Sequence, residues 1–269
     1  MLCYNILINN YSQGDLQAIF TSSYAIFFLN IVCISIKNMY PIEPIAIIES
    51  PYQEKFAVPR QPRLVPSATA RVKLLGECNC AESIRGIEQF SHVWLLFLFD
   101  QNLAAGWKPT VRPPRLGGNE RVGVFASRAT FRPNGIGMSA VELKGVSKEG
   151  DQYYLELGSV DLVNGTPIID IKPYIPYSDS ITDAQSGYAE QEPQRIAVTF
   201  CDAARQMLQT HPEGKIRQAV IREVLAQDPR PAYKKHRADD KLYAVNLYDW
   251  NVKFTVNAEA IVVNAIEPF

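Results

Sequence analysis

Gly135-Ile136-Gly137-Met138-Ser139-Ala140, followed by Val141-Glu142-Leu143-Lys144-Gly145-Val146, is the stretch on which the reading of the fold turns. Its spacing satisfies the G-x-G-x-x-G/A fingerprint by which dinucleotide sites bring backbone amides against a pyrophosphate. That chemistry needs a strand before the glycines and a helix after them. Here Arg132-Pro133-Asn134 precedes them, and a β-leaning run follows. The doubly wound α/β fold is therefore not expected, and the glycines read as positions where a ligand or another backbone comes close.

Outward from this stretch the chain reads the same way. From residue 39 onward the apolar runs are short, β-rich and punctuated by Gly or Pro, as in a barrel or sandwich. The pattern predicts strands at 42–48, 70–75, 93–99, 122–127, 138–146, 153–157 and 167–171, with one helix at 81–90. Leu95-Leu96-Phe97-Leu98-Phe99 is apolar on both faces and predicts a central, fully covered strand. Residues 176–193 are polar and resemble a linker. Helical spacing then appears at 202–210 and 216–227, and strands close the chain at 242–247, 251–256 and 260–266. The expected fold is mainly β: an antiparallel β-barrel-like domain over 39–178, a linker at 179–193, and a small α+β domain over 194–269.

Residues 1–38 differ. They hold one acid, Asp15, and one base, Lys37, and residues 20–36 carry no charge. A secretory signal would open with basic residues, and a spanning helix needs about 20 mostly apolar ones. Neither fits, so this segment reads as translated upstream sequence before Met39, and no membrane association is expected.

Among 269 residues, 27 Lys and Arg balance 28 Asp and Glu, so only a local basic patch can attract a nucleic acid. Five cysteines without C-x-x-C pairing suit neither a disulfide framework nor a zinc site, which points to a reducing, cytoplasmic compartment. His92, His211 and His236 are too scattered for a metal cluster, and no metal is expected. Two basic blocks stand out. Lys108, Arg112, Arg115, Arg121, Arg128 and Arg132 face a lone Glu120 on Pro- and Gly-stiffened loops, which suits carboxylate or phosphate recognition, with a solvated basic face as the plain alternative. Asp228-Pro229-Arg230-Pro231-Ala232-Tyr233-Lys234-Lys235-His236-Arg237 follows a predicted helix. It either complements the helix dipole or stacks a base and neutralises phosphates.

Several motifs, taken together, resemble the TrmO family. They are Tyr52-Gln53-Glu54-Lys55-Phe56-Ala57-Val58-Pro59-Arg60-Gln61-Pro62, Phe90-Ser91-His92-Val93-Trp94, Val111-Arg112-Pro113-Pro114-Arg115-Leu116-Gly117-Gly118-Asn119, Phe131-Arg132-Pro133-Asn134, Leu157-Gly158-Ser159-Val160-Asp161-Leu162-Val163, Asp170-Ile171-Lys172-Pro173-Tyr174 and the Asp228 to Tyr233 segment. The resemblance spans nearly everything after Met39. It implies an S-adenosylmethionine-dependent tRNA adenine N6-methyltransferase, with a barrel that binds the cofactor near a homodimer interface and a small C-terminal domain. It further implies methylation of N6 of threonylcarbamoyladenosine beside the anticodon of threonine tRNA. Carried onto this chain, cofactor contacts are expected from Arg60, Gln61, Pro62, Arg63, Leu64, Asp100, Gln101, Arg128, Met138, Gly158, Ser159, Val160 and Asp161. Asp100 departs from the family, which has His there.

Chemistry supplies reasons for parts of this set: Arg128 suits a carboxylate, Asp161 an amino group or ribose hydroxyls, and Met138 an adenine face. Asp228 is the candidate acceptor of the N6 proton, with a purely structural cap as its alternative. Arg230, Tyr233, Lys234 and Lys235 are expected to hold the tRNA. Two other functions compete with this one: small-molecule methylation by the same barrel, and a non-catalytic RNA-binding barrel.

Overall fold

Alternation of side chains builds the first half of the molecule. The computed structural model describes residues 40–230, Lys234, 239–257 and 260–269. Eight strands are formed before residue 174: β1 (Ala46–Glu49), β2 (Ala70–Leu74), β3 (His92–Leu98), β4 (Thr110–Val111), β5 (Val122–Gly123), β6 (Ile136–Glu149), β7 (Gln152–Leu157) and β8 (Pro167–Pro173). Six of them close into an antiparallel barrel in the order β1-β2-β7-β6-β3-β8, while β4 and β5 pair separately in a loop excursion. Ala46 and Ile48 of β1, Val72 and Leu74 of β2, and Val93, Leu95 and Phe97 of β3 are buried, every second residue, as a closed sheet filled by its own side chains requires. A bulge between Leu143 and Gly145 interrupts the pairing of β6 with β7 and lets that 14-residue strand bend.

β3 lies between β6 and β8, central in the sheet as its two-sided apolarity predicts. Its second face is only half-buried, because Leu96 and Leu98 turn toward a cleft rather than a second layer. The helix expected at 81–90 is absent: the segment is turns with one 3-10 turn, Ile87–Gln89, entered through Gly86 at φ 85°, which helical backbone cannot adopt. The strand expected at 122–127 is confined to β5, because Val124–Ala126 coils into a 3-10 turn. Short helices α1 (Asp100–Leu103) and α2 (Pro176–Asp179) follow β3 and β8.

The second half carries β9 (Ala197–Phe200), α3 (Asp202–Thr210), α4 (Gly214–Leu225), β10 (Asp239–Leu247), β11 (Trp250–Val256) and β12 (Ala260–Pro268). Their sheet runs β10-β11-β12-β9, with β9 parallel to β12. β9 was not expected, since four residues between polar segments give no period to detect. Cys201 caps α3, its Sγ accepting from the Ala204 amide at 3.4 Å and donating to the Asn264 carbonyl at 2.9 Å. On α4, Val220, Ile221, Val224 and Leu225 share one buried face.

Barrel and second sheet are joined within one unit, Pro44–Phe269. Tyr52 bridges to Leu247, the Tyr248 amide donates to Pro51 O at 2.7 Å, and the Asn246 amide donates to Glu54 Oε1 at 2.8 Å. Ser67 donates through both its amide and its hydroxyl to Glu223 of α4, at 2.9 and 2.7 Å. Among the described residues, no helix is long and apolar enough to cross a membrane.

Candidate active site

A cleft of about 800 Å³ opens where the C-terminal end of β3 meets the start of β6. Their register pairs Leu96 with Met138, Phe97 with Gly137 and Leu98 with Ile136. A Cβ on Gly137 would lie 2.6 Å from Phe97 Cζ and 2.8 Å from Phe99 Cζ, so glycine lets these rings lie across the strand. The close approach expected of a ligand or another backbone is made instead by side chains, Phe97 and Phe99 at Gly137 and Leu103 at Gly135. Gly135 takes φ 61° and accepts from the Phe99 amide at 2.7 Å, which sets the loop entering β6.

The lining is amphipathic. Leu96, Phe97, Leu98, Phe99, Phe131 and the 55% exposed Met138 supply apolar surface, whereas Gln61, Asp100, Gln101, Arg128, Ser139 and Asp161 supply polar groups. Such a mixture suits an adenine carried on a charged, hydroxylated tail. Ser139 Oγ donates to Asp161 Oδ1 at 2.6 Å. Burial pushes the Asp161 carboxyl up from 3.8 to about 6, opposed by the Ser139 hydrogen bond, its backbone bond and the Arg128 charge. The Arg128 guanidinium donates to the Gln61 side-chain carbonyl. Lys55 Nζ donates to Gln101 O at 3.2 Å and ties the loop at 55–60 to α1. Nearby, the Tyr52 and Ser159 hydroxyls are buried without a hydrogen bond of standard geometry, although each feels the other. Burial above all, then the Tyr248, Asp161 and Glu223 charges, drives the Tyr52 hydroxyl upward in pKa.

Seven of the expected cofactor residues line this cleft: Arg60, Gln61, Asp100, Gln101, Arg128, Met138 and Asp161. Pro62, Arg63 and Leu64 do not line it. Gly158, Ser159 and Val160 stay out as well, being buried just past the end of β7, where Gly158 donates from its amide to Glu142 O at 3.0 Å. Leu96, Phe97, Phe99, Phe131 and Ser139 were missed. The two-sided apolarity of β3 was their visible signal, but a second apolar face looks the same whether it covers a core or lines a cleft.

The Asp228 segment requires a correction. Asp228 and Arg230 are 2% and 1% exposed, and Arg230 Nε and Nη2 donate to the two Asp228 carboxylate oxygens at 2.8 and 2.9 Å. A carboxylate whose oxygens both serve a buried guanidinium is not placed to take a proton from N6, and a buried guanidinium does not meet a phosphate. The pair holds the turn that ends α4, where Asp228 itself stands at φ 48°. Lys234 donates from Nζ to the Tyr243 hydroxyl at 3.0 Å. Tyr233 and Lys235 lie outside the described residues. In the first basic block, Arg132 is spent on the Val124 and Ser127 carbonyls, at 3.1 and 2.6 Å, whereas Arg112 is exposed.

The tRNA-methyltransferase O N-terminal domain matches residues 47–180, and the TrmO C-terminal domain matches 193–269. The chain belongs to the TrmO family. Among TrmO relatives, the tRNA (adenine(37)-N6)-methyltransferase of Escherichia coli (strain K12) is 52% identical over 233 residues, spanning 86% of this chain and 99% of that protein. The like-named protein of Eikenella corrodens is 39% identical over 177 residues, 66% of this chain and 97% of its own. A Pseudomonas aeruginosa protein, RcsF, named provisionally as an S-adenosylmethionine-dependent methyltransferase, is 48% identical over 216 residues, 79% of this chain and 91% of its own. The crystal structure of TrmO from Pseudomonas aeruginosa superposes with a TM-score of 0.70 at 39% identity, covering 85% of this chain and 98% of that one. The barrel and small second sheet of this chain are thus the TrmO architecture.

Proposed function

We propose that this chain transfers the methyl group of S-adenosylmethionine to N6 of the adenosine next to the anticodon of tRNA. The observation that carries the proposal is the 52% identity to the Escherichia coli enzyme over nearly its full length. The finer reading is that the target is threonylcarbamoyladenosine in threonine tRNA, that the protein works in the cytoplasm, and that it acts as a homodimer.

The cleft fits the cofactor. Met138, Phe97 and Phe99 offer apolar surface to an adenine, Arg128 a guanidinium to a carboxylate, and Asp161, held by Ser139, a carboxylate to an ammonium or a ribose diol. S-adenosylmethionine, when bound, supplies an electrophilic methyl group. The chain supplies position: Ser139 of β6 holds Asp161, Gln61 holds Arg128, and apolar side chains line the cleft beside them, so that a bimolecular displacement becomes a local one. N6 is a weak nucleophile because the purine ring shares its lone pair, which makes alignment the chief service this site performs. Lys234, with Tyr233 and Lys235 beside it in sequence, is proposed to face the RNA.

We further propose that 39–178 and 194–269 are the cofactor and tRNA domains, joined through 179–193, and that residues 1–38 are dispensable. A chain begun at Met39 should keep full activity.

The test of the function is tritium transfer from labelled S-adenosylmethionine to bulk tRNA taken from cells lacking this protein. Label in tRNA supports the reading. Cofactor binding without label in tRNA, or label passing only to small molecules, contradicts it.

A further inference from the structure

Arg60 lines three clefts at once. Besides the cofactor cleft, it faces one of about 460 Å³ against the end of α4, with Val224, Gln227 and Asp228, and one of about 450 Å³ with Arg115 and Arg195, where the chain approaches β9. It is half-buried, and its guanidinium makes no hydrogen bond or ion pair among the described residues. The nearby carboxylate is already taken, since Asp228 gives its oxygens to Arg230. The nearby cation is fixed, since Arg115 donates to the Gln191 carbonyl. A half-buried guanidinium beside a second one, with its donors unused among the described residues, is costly unless an anion completes it. Its pKa is lowered first by burial and next by Arg115, with Asp228 opposing.

Glu190 and Glu192 also line the third cleft, but both are exposed, whereas Arg60 is half-buried. An oxyanion arriving there would therefore meet a partly desolvated cation and a solvent-screened acidic margin.

We propose that Arg60, assisted by Arg115, is a binding site for an oxyanion of the RNA substrate rather than for the carboxylate of the cofactor. The assignment rests on the tRNA methyltransferase reading and adds a subsite to it. Position supports the RNA over the cofactor: Arg128 already serves the cofactor cleft, whereas Arg60 stands where that cleft meets two others. A strand of RNA can reach along those clefts while its target base enters the first. The oxyanion is either a backbone phosphate or a carboxylate borne by the target nucleoside; in either case a planar guanidinium binds it with two parallel hydrogen bonds.

The experiment compares the full chain with Arg60→Gln and Arg115→Gln, Arg115 being the more exposed and the safer for folding. Calorimetry measures S-adenosylmethionine affinity, and fluorescence anisotropy measures affinity for an anticodon stem-loop of threonine tRNA at two salt concentrations, with and without the acidic modification. Arg60→Gln should leave cofactor affinity unchanged and weaken RNA binding about tenfold to a hundredfold, with a smaller loss for Arg115→Gln. A phosphate source gives equal losses on both RNAs and a salt slope reduced by about one contact. A carboxylate source confines the loss to the modified RNA. A tenfold loss of cofactor affinity with RNA binding intact overturns the proposal, as does parental behaviour in both titrations. If the parent protein binds RNA but transfers no methyl group, the functional reading fails while the subsite stands. If the parent binds no RNA, inorganic phosphate decides: stabilisation of the parent that Arg60→Gln abolishes supports the site, and its absence overturns it.

Discussion

Asp161→Asn isolates the most informative group in the cleft. The Asp161 carboxyl is raised from 3.8 to about 6 by burial. At roughly 1.4 kcal/mol per pH unit this corresponds to about 3 kcal/mol favouring the neutral form, an upper figure because water in the open cleft screens it. Around pH 5 about a tenth of the Asp161 population is ionised, and around pH 7.5 nearly all of it. A cofactor held by the ionised carboxylate should therefore bind about tenfold more weakly at the lower pH.

The stability effect has the opposite sign. Between 3.8 and about 6 the unfolded carboxyl ionises before the folded one. The protection that this carboxyl gives the cofactor-free fold is thus complete below 3.8 and lost as pH rises through about 6. Asp161→Asn should consequently flatten the pH dependence of cofactor affinity, weaken binding at neutral pH by about 1.5–3 kcal/mol, and raise the melting temperature of the cofactor-free protein at neutral pH. Calorimetric titration with S-adenosylmethionine across this range, beside thermal melts, measures all three. A parental affinity that does not change with pH, or an Asn variant that titrates like the parent, refutes the reasoning.

Arg128→Ala should cost about 1.5–3 kcal/mol of cofactor affinity and leave RNA affinity unchanged, as calorimetry and anisotropy would show. Gly137→Ala should destabilise the protein by about 1–3 kcal/mol in chemical denaturation and lower cofactor affinity, because its methyl group displaces the Phe97 and Phe99 rings. Arg230→Ala should destabilise by about 3–5 kcal/mol by stranding the buried Asp228 carboxylate. The double variant Asp228→Asn, Arg230→Met should recover much of that loss in the same denaturation assay.

Strands with a buried and an exposed face were legible in the sequence because burial writes period two into it; β2, β7 and β11 lie within two residues of where alternation put them. β9 and the vanished helix at 81–90 were not, because the first is held by a distant parallel neighbour and the second is undone by the left-handed backbone of Gly86. In the site, Arg128, Met138 and Asp161 could be named from chemistry and motif, and they do share one cleft. What sequence could not separate was a charged residue facing solvent from one facing its neighbour. Arg230 and Asp228 stand two residues apart in a basic run and read as an RNA contact and a proton acceptor, yet the chain turns them inward on each other. Arg60 presents the converse case, an arginine in a motif that looks like the rest of the cofactor loop until its place at the meeting of three clefts is seen.

On the proposed function, the cleft at β3 and β6 holds the methyl donor while tRNA presents one adenosine to it. The most direct measurement is tritiated methyl transfer to threonine tRNA, followed by nuclease digestion and mass spectrometry of the labelled fragment, run in parallel on the parent, Arg128→Ala and Asp161→Asn. One labelled adenosine is expected, modified at N6 beside the anticodon, with transfer by both variants reduced about tenfold or more at subsaturating cofactor. Label on another nucleoside, or undiminished transfer by both variants, would contradict it.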